Sequence, residues 1–371
     1  MHARYHIGDT SQIYSPGLVV YRDIVEQNLD GMIAMAGDVQ RLRPHCKTHK
    51  MPGIIKMELA KGIQKHKCAT LAEAEMLANA GVRDVFLAYN LVGPNIQRAV
   101  KFRQKFPEVA LAVTADHPAP IEDLARAMNA AGLQIEVLLD LDVGMHRTGI
   151  LPSETAKAMY EHIARLPGIV PGGLHVYDGH NHQIAVAART AAVMRAWHVA
   201  CQVRDQLLQA GLEVPKIVAG GTGSFPIFAG VSEPRLELSP GTCVLQDAGY
   251  SATFDDLPFQ PAALIITRVV SKPMSGQVTL DVGNKSVAAD PPVGKRLSFP
   301  DIPDARVVMH NEEHLVVETS EADSYQPGDV LMAIPGHICP TSALHREVYV
   351  VQEGKVVELW PVVARDRCIT I

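Results

Sequence analysis

No apolar run in the chain approaches the roughly 20 residues that span a bilayer, so membrane insertion is not expected. There is no dense Lys/Arg tract with interleaved aromatics, and a formal net charge of −6 with a pI near 6.2 gives no general attraction for polyanions. Nucleic acid is therefore not an expected partner. The six cysteines, Cys46, Cys68, Cys201, Cys243, Cys339 and Cys368, lack CxxC spacing. That argues against a disulfide framework or a four-cysteine zinc site, and the thiols read as mostly reduced and buried. The opening MHARYHIGDTSQ has no basic segment followed by an apolar one, which makes the cytoplasm the expected compartment.

What is present is an ordinary globular composition, 47% hydrophobic and 20% charged, on 371 residues. That length exceeds what one core usually holds, so one large domain and a smaller one, or two of similar size, are expected. Sixteen histidines are the notable excess, several of them beside Gly, Pro and Asp in segments that read as loops at strand ends.

From about residue 20 to 250, short β-rich runs alternate with longer helical patterns. Eight candidate strands fall at 40–45, 66–69, 84–89, 109–115, 135–140, 172–177, 216–219 and 236–245, with helical stretches such as 24–36, 71–80, 120–131, 153–166 and 184–210 between them. This α/β pattern points to a closed (β/α)8 barrel, although an open doubly wound sheet shares most of it. After Tyr250 the segments 263–271, 277–281, 305–310, 315–319, 329–334, 347–352 and 356–360 are β-prone and separated by turn residues. They predict a C-terminal antiparallel β domain over 251–371, which residues 1–19 could join.

Five segments carry chemistry. Arg43-Pro44-His45-Cys46-Lys47-Thr48-His49-Lys50 closes the first predicted strand, the end that faces the active site in a barrel. Lys47 there is either a solvated charge or a Schiff-base amine. Gly220-Gly221-Thr222-Gly223-Ser224 follows the seventh strand and reads as a phosphate cup, its N–H groups and the Thr222 and Ser224 hydroxyls supplying donors, or else as a tight turn. It lacks the Gly-Lys-Ser/Thr of a Walker sequence. His175 and Tyr177 share one side of the sixth strand, with His180 and His182 just beyond. An extended His337-Ile338-Cys339 puts imidazole and thiolate on one side, suited to Zn2+ or Mn2+, the alternative being a buried Cys beside a capping His. In Asp140-Leu141-Asp142-Val143-Gly144-Met145-His146-Arg147-Thr148-Gly149, Arg147 either donates to an anionic oxygen at the barrel mouth or forms a surface ion pair.

Taken in order, these segments resemble the D-threonine aldolase and D-serine dehydratase family, which has an alanine-racemase-like barrel and a C-terminal β domain; the resemblance spans nearly the whole chain. It implies pyridoxal 5'-phosphate held by Lys47, with Arg147 near its phenolic oxygen, Tyr177 at its ring and Gly220 to Ser224 around its phosphate. It implies a divalent metal, Mn2+, Zn2+ or Mg2+, on His337 and Cys339, and catalytic roles for Lys47, His175 and His180. The implied substrate is a small D-β-hydroxy amino acid and the implied assembly a homodimer. A cysteine as second metal ligand is similar to the dehydratases, whereas the YDGH run and Leu280 to Ser286 look like the aldolases. Retro-aldol cleavage is the leading expectation, with elimination as its alternative. Racemisation, cofactor binding without catalysis, and an unrelated metal-dependent barrel hydrolase are the remaining readings.

Overall fold

A computed structural model describes residues 2–367 and 370–371. Strand β1 (Gly17–Tyr21) comes first, and seven parallel strands follow: β2 (Lys65–Cys68), β3 (Asp84–Asn90), β4 (Ala110–Ala115), β5 (Ile135–Leu141), β6 (Ile169–Val176), β7 (Lys216–Ala219) and β8 (Leu236–Leu238). These seven pair in sequence order, β2 to β8, each with its neighbour in parallel register and most separated by a helix. The helices at Leu71–Asn79, Pro118–Ala130, Glu154–Arg165 and Val186–Gln209 match the expected stretches to within two residues at either end.

The first predicted strand, 40–45, is not a regular strand. Leu42 and His45 instead make isolated parallel bridges, to Leu238 of β8 on one side and Lys67 of β2 on the other. Arg43 N–H donates to Leu238 O (2.8 Å), His45 N–H to Pro240 O (2.8 Å), and Lys67 N–H to Pro44 O (2.8 Å). Pro44 has no N–H to give, which interrupts a ladder while still letting the segment join the two edges. The parallel sheet thus curls into a barrel whose eighth position is irregular.

Residues two apart on a strand share a face, so the barrel interior is read as layers. Near the N-terminal ends the layer is ionic: buried Arg43 reaches Glu237 (2.5 Å) and Asp84 (2.7 Å), Lys65 reaches Glu237 (2.8 Å), and Lys216 reaches Glu136 (2.7 Å). Above it Phe86, Ala112, Leu138 and Val218 form an apolar layer, with Ala88 packed on it. The next residues on the same rows are Lys67 on β2, Asp140 on β5 and His175 on β6. One extra residue in β6 sets the last of these. Val137 pairs with Pro171 but Leu138 with Gly173, so Gly172 bulges out and His175 falls opposite Asp140. Gly173 has φ of 103°, and a Cβ there would stand 1.9 Å from Lys216 O, so no other residue fits without moving the strand.

A second sheet gathers β1 with β9 (Ala263–Ser271), β10 (Gln277–Leu280), β11 (Leu297–Ser298), β12 (Arg306–His310), β13 (Leu315–Glu318), β14 (Val330–Pro335), β15 (Glu347–Gln352) and β16 (Lys355–Pro361). Its main path runs β12-β13-β10-β9-β1-β15-β16, with β14 joining β9 and β11. Pairing is antiparallel except between β1 and β15, which run parallel. By internal contacts the described residues of 1–32, 48–54 and 242–366 form one unit, and those of 33–47, 55–241 and 367–371 the other. No helix among the described residues is long and apolar enough to cross a membrane.

Candidate active site

The C-terminal ends of the barrel strands enclose a cavity of about 540 Å³, within the usual range for small-molecule sites. Lys47, Lys67, Asp140, Arg147, His175 and Tyr177 all line it. A larger cleft of about 740 Å³ lies in the β unit, where Phe254, Phe259, Phe299 and several prolines share the wall with polar residues such as His2, Arg4, Asp255 and Gln260. The described residues lining it bring together no comparable cluster of nucleophile, base and cations, so that cleft is the weaker candidate.

Three cations surround the Tyr177 ring: Lys47 Nζ is 5.9 Å from its centroid, Lys67 Nζ 5.6 Å and Arg147 Cζ 4.9 Å. Lys67 was not singled out by the sequence. Its Nζ lies 2.9 Å from His175 Nε2, and His175 Nδ1 lies 2.7 Å from Asp140 Oδ1. An ionised carboxylate only accepts, so His175 donates from Nδ1 and receives from Lys67 at Nε2. Burial is the main cause that brings the Lys67 ammonium down to about 7, with the Lys47 charge next and Asp140 opposing. Burial and then Lys67 lower His175. Burial alone would raise Asp140, but the His175 ring, Thr148 and Lys67 outweigh it and hold the carboxyl below its ordinary value.

The glycine turn adjoins the same aromatic ring, since a Cβ on Gly221 would come 3.3 Å from Tyr177 Cε2. Gly220, at φ of 78°, is packed so tightly that a Cβ would lie 2.8 Å from the Phe228 ring. Thr222 Oγ1 accepts from Gly241 N–H, and Gly223 completes the turn. The Ser224 hydroxyl accepts from Gly221 N–H (3.2 Å) and donates to buried Asp178 (2.8 Å). Its proton is thus given inward, where the sequence suggests an outward donor. Asp178, raised chiefly by burial, holds that serine in place.

His180 is not among the residues lining the cavity; its ring packs instead on the DVGMH segment, within 3.0 Å of where a Gly144 Cβ would stand. His45, Cys46 and Glu73 bring ligand-type atoms within 4.8 Å of one another. Their atoms serve the fold, however. Glu73 accepts from Ala69 N–H (2.6 Å) and His45 Nδ1 from Lys47 N–H (3.3 Å), which anchors the backbone of the cavity lysine.

The residues present fit an anionic aromatic aldehyde. There is an amine to join it, a ring edge with a glycine turn alongside, and an excess of positive charge over the single carboxylate Asp140.

In the β unit, His337 precedes the helix Ile338–Leu344, so Cys339 sits in a first helical turn and the segment is not extended beyond His337. Pro340 suits that turn, where an N–H would have no partner. The helix start is capped from afar by Asp247, which accepts from Ile338 N–H (3.0 Å) and Tyr250 N–H (2.8 Å). The imidazole and thiol still converge. Burial alone would lower His337, but hydrogen bonding to Cys339 and the carboxylate of Asp290 push it up to about 9. Asp290 Oδ2 lies 2.5 Å from His337 Nδ1, leaving Nε2 for another partner, and Cys339 Sγ is 3.2 Å from Thr48 Oγ1. A borderline-soft N,S pair with an oriented imidazole fits a divalent transition metal with further positions open.

Parallel barrel, mouth lysine and glycine turn after β7 together define a barrel of the alanine-racemase type. A family model described as "Alanine racemase, N-terminal domain" matches residues 20–244, and one described as "Putative serine dehydratase domain" matches 262–351. A D-threonine aldolase from Arthrobacter sp. is 32% identical over 96% of this chain and 93% of that protein. The crystal structure of D-threonine aldolase from Filomicrobium marinum superposes with a TM-score of 0.88 at 30% identity, covering 96% of both chains. D-threo-3-hydroxyaspartate dehydratase from Delftia sp. (strain HT23) is 23% identical over 89% of this chain and 92% of its own. The chain belongs to the fold-type III pyridoxal-phosphate family, among the D-amino acid lyases that pair an alanine-racemase-like barrel with a serine-dehydratase-like β domain.

Proposed function

We propose that the protein is a pyridoxal-phosphate- and divalent-metal-dependent lyase that cleaves a D-β-hydroxy amino acid into glycine and an aldehyde, as D-threonine aldolase does. The observation that carries this reading is Lys47 at the wall of a cavity with three cations against one carboxylate, beside a tyrosine and a glycine turn. Pyridoxal phosphate, when bound, supplies an electron sink for the pair released at Cα, and a metal on His337 and Cys339 supplies a Lewis acid for a hydroxyl oxygen.

The chain's own residues do the rest. Lys47 offers the amine that carries the cofactor and, once released, a base. Arg147 and Tyr177 would bound the ring position, and the turn Gly220 to Ser224 would take the phosphoryl tail through backbone N–H groups other than those of Gly220 and Gly221, which are given to Val176 O and Ser224 Oγ, with Ser224 locked by Asp178. His175 holds its Nδ1 proton toward Asp140, so it works from Nε2, through Lys67. Asp290 turns the His337 ring so that Nε2 is the ligand atom.

A second reading, elimination to a 2-oxo acid and ammonia, is favoured by one feature: the second expected metal ligand is a cysteine, Cys339, which by the resemblance is similar to the dehydratases. The test incubates purified protein with pyridoxal phosphate and Mn2+ on D-threonine, D-serine and their L-forms, with and without chelator. Glycine with acetaldehyde from D-threonine alone supports the aldolase, and 2-oxobutyrate with ammonia supports elimination. Chelator-insensitive appearance of the opposite enantiomer means a racemase. A cofactor-laden protein that releases no product is a binding protein, and either of these last results overturns the proposal. A homodimer, checked by sedimentation, is part of the same reading.

A further inference from the structure

One lysine suffices to carry a cofactor, yet this cavity holds two. Lys67 is only 3% exposed, on a strand whose neighbours His66 and Cys68 are buried as well. Burying an ammonium is costly unless an opposite charge meets it. Asp140, the one carboxylate among the described residues lining the cavity, is hydrogen-bonded to His175, and Lys67 meets the far nitrogen of that imidazole rather than the carboxylate. A carboxylate–imidazole–amine chain therefore fixes the Lys67 head without neutralising it. Lys47, Arg147 and, beneath the apolar layer, Arg43 add further positive charge. A purely structural lysine would be paired with an acid, as Lys65 and Lys216 are in the ionic layer at the foot of the barrel. Here the balance is completed only by an anion arriving in the cavity.

We propose that Lys67 is an anion-binding residue of the site, which together with Arg147 holds an ionised oxygen of whatever lies against Tyr177, and that the Asp140–His175 pair positions its Nζ for this. The oxygen has two chemical sources, the phenolic oxygen of the cofactor ring or the carboxylate of the amino acid. The choice between these sources rests on the cavity being a pyridoxal-phosphate site; the claim that Lys67 binds an anion does not.

The test uses full-length Lys67→Met and Lys67→Gln, whose folding is confirmed by circular dichroism. Both substitutions remove the charge, and the Gln variant retains an amide N–H donor on a side chain one atom shorter, so a fault that Gln does not repair is assigned to the loss of the ammonium. Pyridoxal phosphate affinity is read from absorbance. Affinity for D-alanine and for D-alaninol, which lacks the carboxylate, is read from the spectral change each causes in the holoenzyme without any cleavage.

If the phenolic oxygen is the partner, cofactor affinity falls roughly tenfold or more in both variants and the visible band shifts. If the carboxylate is the partner, cofactor affinity holds within about twofold, D-alanine binding falls roughly tenfold, and D-alaninol binding is unchanged. Either result upholds the proposal. All three affinities within about twofold of wild type overturn it. If the wild type takes up no cofactor, the reading of the cavity fails, and inorganic phosphate becomes the probe. Thermal protection by phosphate in the wild type that both variants lose still upholds the Lys67 assignment, whereas no protection, or equal protection, overturns it.

Discussion

Arg43→Met isolates the ionic layer at the foot of the barrel. Arg43 is fully buried and makes three hydrogen bonds from its guanidinium, one to Glu237 (2.5 Å) and two to Asp84 (2.7 and 3.0 Å). Removing one partner of a buried ion pair leaves the other charge stranded, at a cost of about 3–5 kcal/mol. Two features reduce it here. Lys65 stays on Glu237 at 2.8 Å, and the Asp84 side chain is 34% exposed and can recover water. The expected loss at pH 7 is therefore about 3 kcal/mol, the low end of that range.

The pH dependence gives a second handle. Burial raises both carboxyls, but Arg43 and the nearby lysines outweigh it and hold Asp84 and Glu237 below their ordinary values. A carboxyl depressed in the folded state contributes stability that is complete above its unfolded pKa, about 4, and is lost as pH falls through the folded value. Without Arg43 that contribution is missing at neutral pH, so the difference between variant and wild type should shrink on acidification from pH 7 toward pH 3. Urea unfolding followed by circular dichroism, fitted with separate transitions if the two units unfold apart, measures both effects. A loss below about 1 kcal/mol at pH 7, or a difference that widens in acid, would refute the argument from stranded charge.

Lys47→Ala should abolish the yellow colour of the holoenzyme and all turnover; a borohydride-trapped cofactor still found on another lysine by peptide mass mapping would remove the central assignment. Asp290→Asn, which keeps an acceptor near His337 but removes the charge, should weaken Mn2+ or Zn2+ binding roughly 10–100-fold in competition with a chromophoric chelator. Unchanged affinity would mean that Asp290 does not orient the ligand.

Regular elements were readable because their signals are local. The apolar runs of β9 and β15 lie at the residues their patterns predict, and helices begin just after capping residues such as Thr70 and Ser153. Segment 40–45 was misjudged as a full strand because its apolar and basic texture looks β-like, whereas Pro44 withholds the donor a ladder needs. The first turn after His337 was hidden for a different reason: the carboxylate that caps it, Asp247, lies 91 residues earlier in the chain. Lys67 was hidden in the same way, since its partner His175 is 108 residues distant. The one available hint was local: Lys65-His66-Lys67 is too polar for a parallel strand, which is normally covered on both faces. In such a strand an unexplained charge marks either a pair or a site.

The bulge at Gly172 carries a consequence beyond its own strand. Were β6 one residue shorter at that point, its alternation would be inverted, and imidazole and phenol would face the outer helices while Leu174 and Val176 filled the mouth. The reactive character of the whole pocket thus depends on a backbone irregularity that no substrate would ever touch. Among descendants of such a gene, a residue without a side chain would be kept at position 173 as strictly as any that meets the ligand, and a survey of tolerated changes would misplace it among the functional groups.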